Sequence, residues 1–226
     1  MASLKEVRLR ITSVNSTQQI TKAMKMVSAA KLRRAQDAIV QMRPYASKLR
    51  EILENLSSNV DASESGGFAV VRPAEKILIV AITSNRGLAG AFNSNIIRYV
   101  NRLIVEKYAL QQQKGNVKVI CIGKKASDFF SKKPGLFVRQ HNDIFNHLTF
   151  ENTAAIAQQI MDEYAAGNYD RVVLVYNQFK NAAVQYVTNE AFLPITPPAS
   201  SDNKKAAAND YIFEPGKAEI VQDLIP

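Results

Sequence analysis

The sequence predicts an α/β protein in two parts: a long N-terminal coiled-coil helix, then a three-layer domain with a mostly parallel sheet. Three observations carry this. Residues 4–56 contain no Gly and one Pro, and apolar residues recur along them at the alternating three- and four-residue spacing of a coiled-coil seam. From residue 76 onward, short apolar runs alternate with amphipathic stretches, as in strands covered on both faces by helices. Between the two lies Asp61-Ala-Ser-Glu-Ser-Gly-Gly, whose composition is that of a flexible linker.

The helix opens on a capping-box spacing, Ser3 followed by Glu6. Its seam runs from Leu4, Val7, Ile11 and Val14 through Leu32, Ala35, Ile39, Met42 and Ala46 to Leu49, Leu53 and Leu56. Twelve of the sixteen seam positions are apolar; Gln18, Thr21, Lys25 and Ser28 are the four exceptions. Over those turns the apolar residues shift to Ile20, Ala23, Met24 and Val27, which reads either as a stutter in a coiled coil or as a change of partner. At about 1.5 Å per residue the helix would be roughly 80 Å long, so it must project and must cover its seam with a second surface. Pro44 removes one backbone hydrogen bond and predicts a bend or joint, with helix continuing beyond it to end at Ser57, Ser58 and Asn59.

The second part begins at residue 75. Residues 76–83 read as a buried strand, followed by a turn, Asn85-Arg-Gly-Leu-Ala-Gly-Ala-Phe-Asn. A helix capped by Asn93 or Ser94 follows, with Ile96, Ile97, Val100, Leu103, Ile104 and Tyr108 on one face. Strand 117–122, a short helix over 124–132 and a strand over 136–139 come next. Thr149 caps a helix that carries Ile156, Ile160 and Tyr164 on one face and ends at Gly167. Residues 171–179 and 184–192 predict a hairpin, which places one antiparallel strand at the edge of a Rossmann-like sheet. The layout is then a shaft helix over 1–60, a linker over 61–74, the α/β domain over 75–195 and a loop over 196–210. A short strand and the first turns of a helix fill 211–226.

Charge is unevenly placed. The chain carries +9, and residues 1–60 hold eleven Lys and Arg against Glu6, Asp37, Glu51 and Glu54, which leaves +7 on the helix. A basic rod fits an acidic protein surface, anionic lipid or nucleic acid. Its basic residues are scattered rather than gathered into the dense block of a groove-reading region, which argues against nucleic acid. No apolar run reaches the roughly 20 residues of a membrane span and the start lacks a signal peptide's apolar core, so the expectation is a soluble, cytoplasmic chain. Cys121 is the single cysteine and reads as a buried core thiol, which excludes an internal disulfide.

Chemistry-bearing motifs are weak. The Gly87-Leu-Ala-Gly90 turn sits where a dinucleotide fold holds phosphate, but it lacks both the three-glycine fingerprint and the Gly-Lys-Ser/Thr ending of a P-loop. His141 and His147 lie in a loop with no cysteine partner, a poor pattern for zinc. Nothing groups Ser, His and Asp for nucleophilic catalysis. The expectation is no catalytic residue, no metal and no cofactor.

Longer words of the sequence carry a resemblance. Residues 11–36, Ile-Thr-Ser-Val-Asn-Ser-Thr-Gln-Gln-Ile-Thr-Lys-Ala-Met-Lys-Met-Val-Ser-Ala-Ala-Lys-Leu-Arg-Arg-Ala-Gln, closely resemble the N-terminal signature of the gamma subunits of F-type ATP synthases. Arg43-Pro-Tyr, Thr83-Ser-Asn-Arg-Gly-Leu-Ala-Gly-Ala-Phe-Asn and Tyr211-Ile-Phe-Glu-Pro resemble later landmarks of that family, in order.

The resemblance implies a rotor shaft. An antiparallel coiled coil of N- and C-terminal helices stands inside a catalytic head of alpha and beta subunits. The α/β domain is a foot resting with the epsilon subunit on the membrane c-ring. Met24, Lys25 and Met26 match the segment facing the acidic levers of the beta subunits, with Arg33 and Arg34 beside it, and Tyr211 and Glu214 match the foot segment near the ring. Nucleotide binds to alpha and beta, so no direct nucleotide or nucleic-acid binding is implied here, and the place is the cytoplasmic face of the inner membrane of a bacterial cell. The family continues beyond the point matching Pro226 with the second coiled-coil helix, which is not in this sequence, and the regulatory cysteine pair of chloroplast members has no counterpart. Two other classes stay open from the residues alone: a nucleotide-binding α/β enzyme using the Gly87 turn, and a basic coiled-coil protein that binds nucleic acid.

Overall fold

A computed structural model describes residues 3–57, 68 and 70–195. The expected strand at Tyr211, the helical turns after Gly216 and residues 61–67 of the expected linker lie outside these. The chain divides into two compact units, Met1–Ile52 and Leu53–Pro226.

Helix α1 (Leu4–Ser57) is unbroken for 54 residues and passes through Pro44. Its start is a closed capping box: the Ser3 N–H donates to Glu6 Oε2 at 2.9 Å, and the Glu6 N–H donates to Ser3 Oγ at 3.3 Å. Thr12, Thr17 and Thr21 are poor helix formers, but each turns its hydroxyl back to a carbonyl one turn earlier, on Arg8, Ser13 and Thr17 respectively. The hydroxyls are thus satisfied without leaving the helix. The seam residues Leu4, Val7, Ile11, Val14 and Leu32 are exposed, while Ile39 and Leu49 are half-buried.

The second unit is built on a five-stranded sheet of order β3-β2-β1-β4-β5. The strands are β1 (Ile77–Ile82), β2 (Val117–Ile122), β3 (Phe137–Gln140), β4 (Arg171–Phe179) and β5 (Gln185–Leu193). Strands β1 to β4 are mutually parallel where they pair, and β5 runs antiparallel along the edge of β4. Helices α2 (Phe92–Lys107) and α4 (Lys124–Phe130) cover one face, where Ile96, Val100, Ala126 and Phe130 meet Ile77, Ile79 and Ala81. Helix α5 (Phe150–Ala165) covers the other, where Ile160, Met161 and Tyr164 meet Leu78 and Val80. Because β1 is covered from both sides, its consecutive residues are all apolar and its alternation disappears.

The helix ends hold both agreements and corrections. Thr149 Oγ1 accepts from the Asn152 N–H, as its position predicts. Gly167 adopts φ +76°, with its N–H on Tyr164 O and the Asn168 N–H on Glu163 O, the paired bonds of a Schellman ending. The expected cap of α2 is wrong: the capping position is Ala91, with no side-chain bond, and Asn93 and Ser94 lie inside the first turn. Asn93 is drawn away because the end of β1 needs it. Its Oδ1 accepts from the Ser84 N–H at 2.9 Å, and its Nδ2 donates to Ser84 Oγ at 2.9 Å. Tyr108 breaks the helix rather than continuing it, and α3 (Ala109–Gln113) follows as a separate turn.

Candidate functional site

Two surfaces correspond to the expectations from sequence. The first is the middle of α1. Met24 and Met26 are 64% and 67% exposed, and Lys25, Arg33 and Arg34 are exposed with them. Among the described residues no ion pair engages Lys22, Lys25, Lys31, Arg33 or Arg34. The five expected contact residues do not form one patch. At about 100° per residue, Met24 and Met26 point about 200° apart, Arg33 falls nearly in line with Met26, and Arg34 stands opposite Lys25. They ring the helix. Tyr211 and Glu214, the other expected contacts, lie outside the described residues.

The second surface is the turn after β1, at the carboxyl end of the parallel strands where an open α/β sheet holds ligands. Gly123, between β2 and α4, has φ +109°, and a Cβ there would lie 2.1 Å from Thr83 O, so the close approach of the two strand ends requires glycine. Thr83 is buried and accepts the Ala126 N–H on Oγ1 at 3.0 Å. Asn85 joins three segments: Oδ1 accepts from the Lys124 N–H, and Nδ2 donates to Asn142 O at 2.7 Å. Asn177 of β4 donates to Phe92 O at 3.0 Å. A phosphate cradle needs unengaged backbone N–H groups. Three donors flanking the turn are engaged, the Ser84 N–H by Asn93, the Lys124 N–H by Asn85 and the Phe92 N–H by Ala89 O, whereas the N–H groups of Gly87–Gly90 are not among them. The side chains that close this turn are carboxamides; sequence reading gave Asn93 a different role, as a cap, and did not single out Asn177, whose partner Phe92 lies 85 residues away.

His141 and His147 share a shallow cleft of about 380 Å³ with Gln140, Asp143 and Asn152. Burial pushes the His141 imidazole below its usual range, helped by the Arg139 guanidinium. Among the described residues no group of three His, Cys, Asp or Glu side chains is placed to hold a metal ion. Cys121 is fully buried on β2, and burial pushes its thiol up to about 12.

Comparison with known proteins shows the family of the chain. A family profile described as ATP synthase matches residues 3–226. The ATP synthase gamma chain of Flavobacterium johnsoniae is 54% identical over 226 residues, all of this chain and 76% of that relative. The chain belongs to the ATP synthase gamma chain family. The gamma chain of Chlorobaculum tepidum is 44% identical, again over all of this chain and 77% of the relative, so both relatives are longer. Among solved structures, the central stalk and c-ring of the Tetrahymena thermophila mitochondrial ATP synthase gives a TM-score of 0.58 at 32% identity, over 77% of this chain and 72% of that one. The rotor of the Euglena gracilis mitochondrial enzyme gives 0.57 at 28% identity, over 84% of this chain and 62% of that one. As a gamma chain, the protein has in α1 the long helix of a stalk, and no helix among its described residues is long and apolar enough to cross a membrane.

Proposed function

We propose that this gamma chain is the rotor shaft of an F-type ATP synthase, carrying torque between the membrane c-ring and a catalytic head of alpha and beta subunits. Residues 1–60 are the shaft and residues 75–195 the foot, which rests with the epsilon subunit on the ring at the cytoplasmic face of the membrane. Tyr211 and Glu214 belong to that foot contact. The observation that carries the reading is the ring of Met24, Lys25, Met26, Arg33 and Arg34 around an exposed helix. A shaft turning inside a surrounding head meets partners on every side in succession, which a one-sided patch cannot do. Its unpaired positive charges complement acidic levers on the beta subunits. The subunit is non-catalytic and binds no nucleotide itself, a reading supported by the Gly87-Leu-Ala-Gly90 turn, which has neither the three-glycine fingerprint nor the Gly-Lys-Ser/Thr ending of a P-loop. Neither nucleic-acid binding nor a nucleotide enzyme is favoured by any observation.

The test is charge reversal at Lys25, Arg33 and Arg34 together in the assembled synthase, followed by ATP-driven proton pumping. Each exposed pair is worth about 0 to 1 kcal/mol, so single changes are expected to be nearly silent, whereas the triple change should weaken assembly or coupling several-fold and raised salt should mimic it in part. Full assembly and full coupling in the triple variant would refute the lever contact. Calorimetric titration of the chain with ATP is expected to give no heat of binding.

A further inference from the structure

We infer that the groove between α2 and the edge strand β5 is a docking site for an acidic peptide segment of a protein partner, distinct from the shaft contacts and independent of the rotor reading. The groove holds about 460 Å³ and is lined by Asn95, Arg98, Tyr99, Arg102 and Val187. The four α2 residues fall at the i, i+3, i+4 and i+7 positions of one helix face, so the two guanidinium groups stand one turn apart over the same groove.

Each donor is held in place yet has capacity left. Arg98 gives Nε to Ser94 O at 3.4 Å and Nη2 to Asn95 Oδ1 at 3.1 Å, which fixes the guanidinium while other N–H groups stay available. Arg102 lies over the Tyr99 ring at 5.2 Å from its centre. Its recorded carboxylate neighbour, Glu106, is 3.9 Å away with both side chains largely exposed, at the outer limit of an ion pair. The Tyr99 hydroxyl accepts from Asn189 Nδ2 at 2.7 Å and so retains its own hydrogen to donate. No lining residue is a carboxylate. Glu190 of β5 belongs to the opposite face of the sheet, in register with Leu174 and accepting from the Tyr176 hydroxyl.

Two forked cations one turn apart, with a hydroxyl donor between them, match two carboxylates on neighbouring side chains of one polypeptide. The Tyr99 ring and Val187 supply an apolar floor that a small oxyanion would leave bare, and they favour a segment in which acidic and aliphatic residues alternate. β5 borders the groove as an edge strand, so an extended segment has backbone groups alongside it as well as side chains.

The test titrates the full chain with a hexapeptide of alternating Glu and Leu, with the same peptide carrying Gln for Glu, and with inorganic phosphate, followed by residue-resolved amide chemical shifts. The acidic peptide should shift the amides of residues 95–102 and 185–189, and the Gln peptide should not. Arg98→Gln with Arg102→Gln should weaken binding by about tenfold, as two lost charge pairs allow. Glu106→Gln, which releases Arg102 from its competitor, should tighten binding about two- to threefold by the same reasoning. A purely structural role for these arginines predicts no tightening. The proposal fails if the shifts scatter over the surface, if Lys114→Gln with Lys132→Gln weakens binding as much, if Glu106→Gln has no effect, or if phosphate alone binds the groove as tightly as the peptide. All these side chains are exposed, and unchanged shifts elsewhere in the spectrum show that each variant is folded.

Discussion

Gly123 and Gly90 look alike in sequence and differ in structure. Both have positive φ, but a Cβ at Gly123 would meet Thr83 O at 2.1 Å, whereas one at Gly90 would meet nothing within 4 Å. Gly123→Ala should therefore cost on the order of 3 kcal/mol or more, combining backbone strain with a clash against backbone that cannot move aside. Gly90→Ala should cost about 1 kcal/mol, the strain alone. Urea denaturation of the two variants measures the difference, and equal losses would mean that the strand ends do not approach as described. Cys121 is a second case. A buried thiol raised to about 12 is protonated at neutral pH and shielded, so a maleimide reagent at pH 8 should leave the native chain unmodified and label it at once in denaturant. Its burial was legible from its place in an apolar run; the clash at Gly123 was not, since it depends on a strand that comes forty residues earlier.

At the scale of elements, α1 and β1 stand at opposite ends of local stability. α1 has the apolar content of a coiled coil, yet most of its seam is exposed, and a helix that buries little is held chiefly by its own hydrogen bonds and its capping box. β1 is buried from Ile77 to Ala81 and bonded on both sides by parallel strands. In the isolated chain, amides of residues 7–30 should exchange with solvent several orders of magnitude faster than those of β1, as resolved by hydrogen-exchange mass spectrometry. Comparable protection of the two would show that a second surface already covers the seam. The seam was readable because its spacing is local. The end of α2 was not, because Asn93 serves either as a cap or as a clamp on β1, and only the position of Ser84 selects between the two.

For the whole molecule, stability should depend on pH through His141. Burial lowers its folded pKa below the unfolded value near 6.5, so between the two values the unfolded chain binds the extra proton. Stability then rises with pH through this window: the contribution of the neutral imidazole is complete above pH 6.5 and is lost as pH falls toward the folded pKa. His141→Phe should flatten the dependence between pH 5 and 7, and an unchanged slope would place its origin elsewhere. The order of elements, the parallel strands, the antiparallel edge and the basic helix were all determined by the sequence itself, because burial on two faces, periodicity and charge are properties of short windows. Family membership was equally legible, carried by residues 11–36 and the turn at Thr83. What the tertiary structure alone decided was the use of side chains across distance. Asn85, Asn93 and Asn177 close the turn after β1, and Arg98, Tyr99 and Arg102 meet Val187 and Asn189 in a groove. Those pairings join residues up to 90 positions apart, and a hydrogen bond is chosen by the distance between its partners in space, which no local pattern encodes.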